Sequence, residues 1–184
     1  MRSYIERAQD FIRQIYPFIE KEMFHPIKIG TPISQFNKQF SRKVKYCYGC
    51  ARIALLTSDY VVKYDFDADE VACLGGCENE IARYTLAKRE GFAHLFAEIT
   101  PYEYMNHTFY IMPRIYGLEK TPKYKGWHYM TSEEREWCLN HEITDLHSGN
   151  YGFRNGRICI IDYACYGYDD GESRDSDYDD YEEE

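Results

Sequence analysis

Asp145, Asn150 and Asp162 are the residues of this sequence whose types and spacing together suggest a reaction. Asn150 lies five positions after Asp145, and Asp162 closes the apolar run Cys159-Ile160-Ile161. Phosphoryl transfer with Mg²⁺ uses such a set: a carboxylate beside the attacking hydroxyl, an amide oxygen on one metal, and a second carboxylate on the metal that bridges the phosphates. A carboxylate ending a buried strand is costly unless it is paired or metal-bound, so Asp162 calls for a cation. Upstream, Lys63 ends the run Tyr60-Val61-Val62, and Glu80 precedes Ile81 in a helical segment. An ammonium neutralises phosphate as a point charge and needs a carboxylate to position it, which suits Lys63 and Glu80.

These residues need elements to hold them. Residues 4–23 carry apolar side chains at Ile5, Ala8, Phe11, Ile12, Ile15, Phe18, Ile19 and Met23, the period of an amphipathic helix, with a bend expected at Pro17. A second helix is expected from Thr31 as N-cap and Pro32 as first helical residue to Phe40. Strand patterns follow at 44–48, 52–57 and 60–66, the last two joined by Ser58-Asp59. A helix over 77–88 stops near Gly91, and strands are expected at 97–102 and 108–114. Residues 116–128 read as a polar loop. Thr131 and the acids after it open a helix to about His141. Asn155-Gly156 signals a hairpin with strands 151–153 and 157–162.

The run Asp145-Leu146-His147-Ser148-Gly149-Asn150, with Asp162 after it, resembles the D-L-H-x-G-N catalytic loop and metal-binding Asp of the protein-kinase-like superfamily. This form of the loop occurs in aminoglycoside-phosphotransferase-like and bacteriophage kinase-like proteins. In the same frame, the segment from Gly49 and Cys50 to Leu55 resembles the glycine-rich loop and second strand, and Tyr60-Val61-Val62-Lys63 resembles V-A-I-K. The resemblance implies an α+β fold: a kinase-like N-lobe of antiparallel sheet plus helix, followed by a much reduced helical C-lobe. It implies ATP and Mg²⁺ as cofactors, with Asp145, Lys63 and Glu80 catalytic. Gly49, Cys50, Lys63 and Met112 would bind nucleotide, and Asn150 and Asp162 would bind metal. Cys47 and Arg52 replace two glycines of the loop, Thr144 replaces the Arg of H-R-D, and Ala164 stands where a Gly follows the metal-binding Asp. The chain ends 22 residues after Asp162, so the usual protein-acceptor platform is expected to be missing. The likeness to bacteriophage proteins implies a host protein as partner and the host cytoplasm as location. The alternative is a catalytically weak or inactive kinase-like binding protein that occupies a partner, through its body or its acidic tail.

At 184 residues and 44% hydrophobic composition, one domain is expected over 1–168, with 1–42 as an N-terminal helical extension. Ten of the 31 acidic residues, and only Arg174 of the 22 basic ones, fall in 169–184; the rest of the chain is balanced despite the net charge of −9. That balance argues against nucleic acid as a partner. The tail itself has too little apolar surface to fold alone. Its Tyr178 and Tyr181 offer phosphate acceptors in cis. No apolar run is long enough to span a membrane or serve as a signal peptide, so a cytoplasmic protein is expected. Seven cysteines then read as reduced thiols, with Cys47/Cys50 and Cys73/Cys77 offering an alternative Zn²⁺ site.

Overall fold

The first helix, α1 (Tyr4–Ile19), forms because Ser3 and Glu6 close a capping box at its start and because its apolar residues fall on one stripe. Ala8, Phe11, Ile12, Ile15, Tyr16 and Ile19 are all buried. The helix continues through Pro17 and tightens into a 3₁₀ turn at Glu20–Glu22. The structure, a computed structural model, describes residues 2–23, 28–48, 52–66, 76–116 and 126–163. The expectations for Gly49, Cys50, Cys73 and the tail 169–184 lie outside these residues.

The next helix, α2 (Gly30–Phe40), starts earlier than expected. Ile29 stands at its N-cap in right-handed conformation, without a side-chain bond. Pro32 therefore falls in the third helical position, where its missing N–H has no intrahelical partner to lose. Ser41 ends the helix in left-handed conformation, with φ of 51°.

Five strands follow: β1 (Lys45–Tyr48), β2 (Arg52–Leu56), β3 (Tyr60–Asp65), β4 (Thr100–Tyr104) and β5 (His107–Pro113). They make one antiparallel sheet in the order β1-β2-β3-β5-β4. Between β3 and β4 the chain forms α3 (Cys77–Glu90), which ends on Gly91 at φ of 89°. The described residues thus form an α+β fold.

Alternation along the strands gives the sheet two apolar faces. Ile53, Leu55, Val62, Tyr64, Phe109 and Ile111 face α1 and α2 and share one core with Phe11, Ile15, Ile33 and Phe36. Each such buried side chain contributes roughly 1.5–3 kcal/mol, so this layer is a major part of the fold. On the opposite face, Tyr110 and Met112 join a second core with Cys77 and Ala87 of α3 and the residues that follow the sheet.

Those later residues comprise a 3₁₀ turn at Gly126–Tyr129, the helix α4 (Ser132–Asn140), and a hairpin of β6 (Tyr151–Arg154) and β7 (Arg157–Ile160). The 3₁₀ turn falls inside the expected loop. Thr131 and Glu134 cap α4 reciprocally, as the sequence suggests. The hairpin turns through Asn155 and Gly156, both with positive φ.

Two strands, β4 and β7, depart from expectation by two residues or more. Residues 97–99 are not in β4, because the Ala97 N–H donates to Ile160 O at 2.9 Å and its carbonyl accepts the Tyr163 hydroxyl at 2.7 Å. The C-terminal hairpin takes the backbone groups a sheet neighbour would need. Likewise β7 stops at Ile160, because the N–H groups of Ile161 and Asp162 both turn to the Asn150 carbonyl. Among the described residues, no helix is long and apolar enough to cross a membrane.

Candidate functional site

Lys63 lies on β3 opposite Ala54 of β2, with Tyr110 of β5 on its other side. Period-two alternation puts Arg52, Ala54 and Leu56 on the same face as Val61 and Lys63. The end of β5 continues that face in the same sheet, the segments around Ser148 and Asp162 stand against it, and between them runs a cleft of about 330 Å³. Its apolar walls include Ala54, Leu56, Val61 and Met112, and its polar lining includes Lys63 and Asp162. An apolar slot with few convergent polar groups is the usual form of a small-molecule site.

At the inner end, Lys63 Nζ donates to both Glu80 oxygens, at 2.9 and 3.0 Å, and to the Ile161 carbonyl at 2.8 Å. Glu80 is fully buried on α3 and accepts two more bonds. Arg52 Nη1 reaches its Oε1 at 3.2 Å, and the Tyr163 N–H reaches the same oxygen at 3.2 Å. Arg52 Nη1 also lies 3.3 Å from Asp162 Oδ1. Two cations and two carboxylates thus form one compact cluster, joining β2, β3, α3 and the segment after β7.

Burial works against the Lys63 ammonium, but Glu80 and Asp162 outweigh it and hold its pKa above the ordinary lysine value. Burial pushes the Glu80 carboxyl up, with Lys63 and Arg52 acting in the opposite direction. The lysine is therefore held as a cation at the inner end of the cleft, between Glu80 and the Ile161 carbonyl.

The loop before β6 supplies the remaining residues. Leu146 is buried, and its carbonyl accepts the Gly126 N–H at 2.8 Å, which anchors the loop to the 3₁₀ turn. A Cβ on Gly149 would come within 2.8 Å of His147 Cε1, so a larger residue here would displace the exposed His147 ring. His147 accepts the Gly149 N–H on Nδ1 at 3.0 Å, so it helps to shape the loop. Asn150 Nδ2 donates to the Asp145 carbonyl at 2.9 Å and to Asp145 Oδ2 at 3.0 Å. With Nδ2 committed, Oδ1 is the Asn150 atom left for a cation. The Asn150 carbonyl holds the N–H groups of Ile161 and Asp162 at 2.8 and 3.3 Å, which ties this loop to Asp162.

The structure brings Lys63, Glu80 and Asp162 into one cluster, with Met112 on the cleft wall. Asp145 and Asn150 are joined to it through backbone bonds and do not themselves line the cleft. Ser148 and Gly149, which lie between them in sequence, line it. His141, expected at a helix end, caps α4 and lies 3.5 Å from Glu90.

Arg52 is the participant that sequence reasoning set aside, reading it only as a lost glycine. The alternation of Arg52, Ala54 and Leu56 with buried Ile53 and Leu55 was the signal that places it on Lys63's face. Cys47, also read as a lost glycine, is exposed and lines the cleft.

The hard oxygens of Asp162 and Asn150 fit Mg²⁺, and the apolar walls fit a nucleobase. The pairing of Asp162 with Arg52 is the departure from a plain metal site. Among the described residues, no three His, Cys, Asp or Glu side chains group as a metal site. The Cys77 thiol donates to Asp65 at 3.3 Å, and its partners in the expected Zn²⁺ set include Cys50 and Cys73, outside the described residues. No protein-family model matches the chain, and none of the curated proteins matches it.

Proposed function

We propose that this chain is an ATP- and Mg²⁺-dependent phosphotransferase of reduced protein-kinase-like fold, acting on a host protein or on itself. The observation that carries this reading is the Lys63–Glu80 pair at 2.9 Å, set beside Asp162 at the inner end of an apolar cleft. A buried charge pair is weak evidence for stability, since apolar residues of similar volume do as well or better. Its place at the end of a cleft gives it a use: a lysine held ready for phosphate oxygens.

In this reading Ala54, Val61 and Met112 hold the base, and Lys63 binds the phosphates. Asp162 and Asn150 would hold Mg²⁺, which when bound would supply further positive charge to the phosphates. Asp145, its side chain half-exposed, accepts the proton of the attacking hydroxyl while Asn150 fixes its orientation. Positioning and charge stabilisation account for most of the rate in such chemistry.

The test is transfer of radiolabelled phosphate from ATP, with Mg²⁺, by the wild type and by Asp145→Ala. Loss of a positioned base lowers the rate by about 10²- to 10⁴-fold. Equal labelling by both proteins removes Asp145 from that role.

The second reading, an inactive binding protein of the same fold, draws on the commitments of the two acids. Asp162 is engaged by Arg52 and Asp145 by Asn150. Nucleotide at 100 times its Kd adds about 2.7 kcal/mol of stability, which thermal melting detects. Stabilisation by ATP without phosphate transfer to any acceptor favours this reading.

A further inference from the structure

Arg52 bridges the two carboxylates of the cluster. Its Nη1 lies between the buried Glu80 carboxylate at 3.2 Å and the Asp162 carboxylate at 3.3 Å. Glu80 does not need it: Lys63 bonds both Glu80 oxygens, and the Tyr163 N–H adds a further donor. What Arg52 adds is a second positive charge beside Asp162. With Lys63 it makes the cluster neutral, without any metal.

The two acids differ in freedom. Glu80 is sealed, whereas the Asp162 side chain is 34% exposed, so its contact with Arg52 opens to the cleft and can be exchanged. The Arg52 side chain is 13% exposed and shares a strand face with Ala54 and Leu56, both of which line the cleft. A guanidinium presents a fork of N–H donors that matches carboxylate and phosphate oxygens alike and is weakly hydrated, so it can pair with either.

We propose that Arg52 exchanges Asp162 for the phosphates of the bound nucleotide, so that ATP binding by this chain persists when divalent cations are removed. The inference rests on the nucleotide-binding reading above. Transfer still requires Mg²⁺, because the freed Asp162 then becomes available to it. Arg52 is thus a phosphate-binding residue in addition to Lys63, standing where a glycine would let only backbone approach.

The experiment is calorimetric titration of ATP into the full chain, in Mg²⁺ and in EDTA, for the wild type, Arg52→Gln and Arg52→Lys. Wild-type Kd values in the two buffers should agree within about threefold, less than one charged hydrogen bond contributes. Arg52→Gln should bind about ten- to hundredfold more weakly in EDTA, with Mg²⁺ restoring most of the loss. Arg52→Lys, which keeps the charge without the fork, should fall between. A wild type that loses ATP in EDTA, or an Arg52→Gln protein unaffected there, overturns the proposal while leaving nucleotide binding intact. No binding by the folded wild type in either buffer overturns the proposal and the phosphotransferase reading together. Circular dichroism establishes that each variant is folded. Should Arg52→Gln not fold, the wild-type EDTA comparison and Arg52→Lys decide the matter.

Discussion

Lys63 Nζ donates to the carbonyl of Ile161 at 2.8 Å, a bond that spans most of the sequence and ends one residue before Asp162. The same ammonium holds Glu80 of α3. One cation therefore fixes a strand, a helix and the backbone that carries the candidate metal ligand. A change at Lys63 acts on the position of Asp162 as well as on charge in the cleft.

Stability and ligand binding separate at this pair. Glu80→Gln leaves Lys63 and Arg52 buried without their shared carboxylate, and loss of one partner from a buried pair costs about 3–5 kcal/mol. The double variant Lys63→Met/Glu80→Leu removes both charges and should regain much of that loss, yet be stabilised by ATP far less than the wild type. Urea denaturation with and without ATP measures both quantities. A double variant stabilised by ATP as fully as the wild type takes Lys63 out of the nucleotide site.

The cysteines provide a chemical probe of the cleft. Burial pushes the Cys138 thiol up to about 12 and the Cys159 thiol up to about 11, and holds Cys77 well above the usual thiol range. Thiolates are the reactive form, so these three should resist alkylation in the native protein. Burial raises the Cys47 thiol as well, but Cys47 is exposed on the cleft wall and so open to reagent, and ATP at 100 times its Kd should slow its alkylation by at least about tenfold. Mass mapping of the modified residues reads the result, and equal Cys47 labelling with and without ATP places the nucleotide elsewhere.

Much of this arrangement was legible in the sequence, for reasons that differ by residue. The apolar run at Tyr60-Val61-Val62 marked the strand that carries Lys63, and the capping residues Thr131 and Glu134 marked the start of α4. The Asn155-Gly156 turn fixed the hairpin that ends near Asp162. What local pattern could not supply were contacts between distant segments. Ala97 leaves its expected strand because Ile160 and Tyr163 claim its backbone. Arg52 looked like a missing glycine in a motif, because its partners Glu80 and Asp162 are 28 and 110 positions away. The helices α1 and α2 of the expected N-terminal extension pack on the sheet face that carries Ile53, Leu55, Val62 and Tyr64, another contact between distant segments.

Glu134 sets part of the acid limit of the fold. Burial works against its carboxylate, but the Thr131 N–H, His94, the Thr131 hydroxyl and Arg157 prevail and hold its pKa below the ordinary value. A depressed carboxyl stabilises the fold above its unfolded pKa of about 4.3, and that contribution is lost as pH falls through the folded value. The wild type should therefore exceed Glu134→Gln in urea midpoint at pH 6 to 7, with the gap closing below about pH 4. A gap that stays constant down to pH 3 would show that the charge of Glu134 is not what stabilises.

Gly152 links the hairpin to the mouth of the cleft through lack of a side chain. A Cβ at this position would come within 2.7 Å of the Tyr116 carbonyl oxygen and 2.8 Å of Ile115 Cγ2. That carbonyl accepts the Phe153 N–H at 2.9 Å, and Ile115 lines the cleft. Gly152→Ala must push β6 away from this segment, which should cost about 1–3 kcal/mol, as overpacking does. It should also weaken ATP stabilisation, because Ile115 moves with it. Gly156→Ala serves as the comparison: its Cβ meets open space, and only its φ of 77° is strained. That variant should lose stability with no change in the increment from ATP. Thermal melts of both variants with and without ATP test the pair, and equal ATP increments in the two would sever the link between β6 and the cleft.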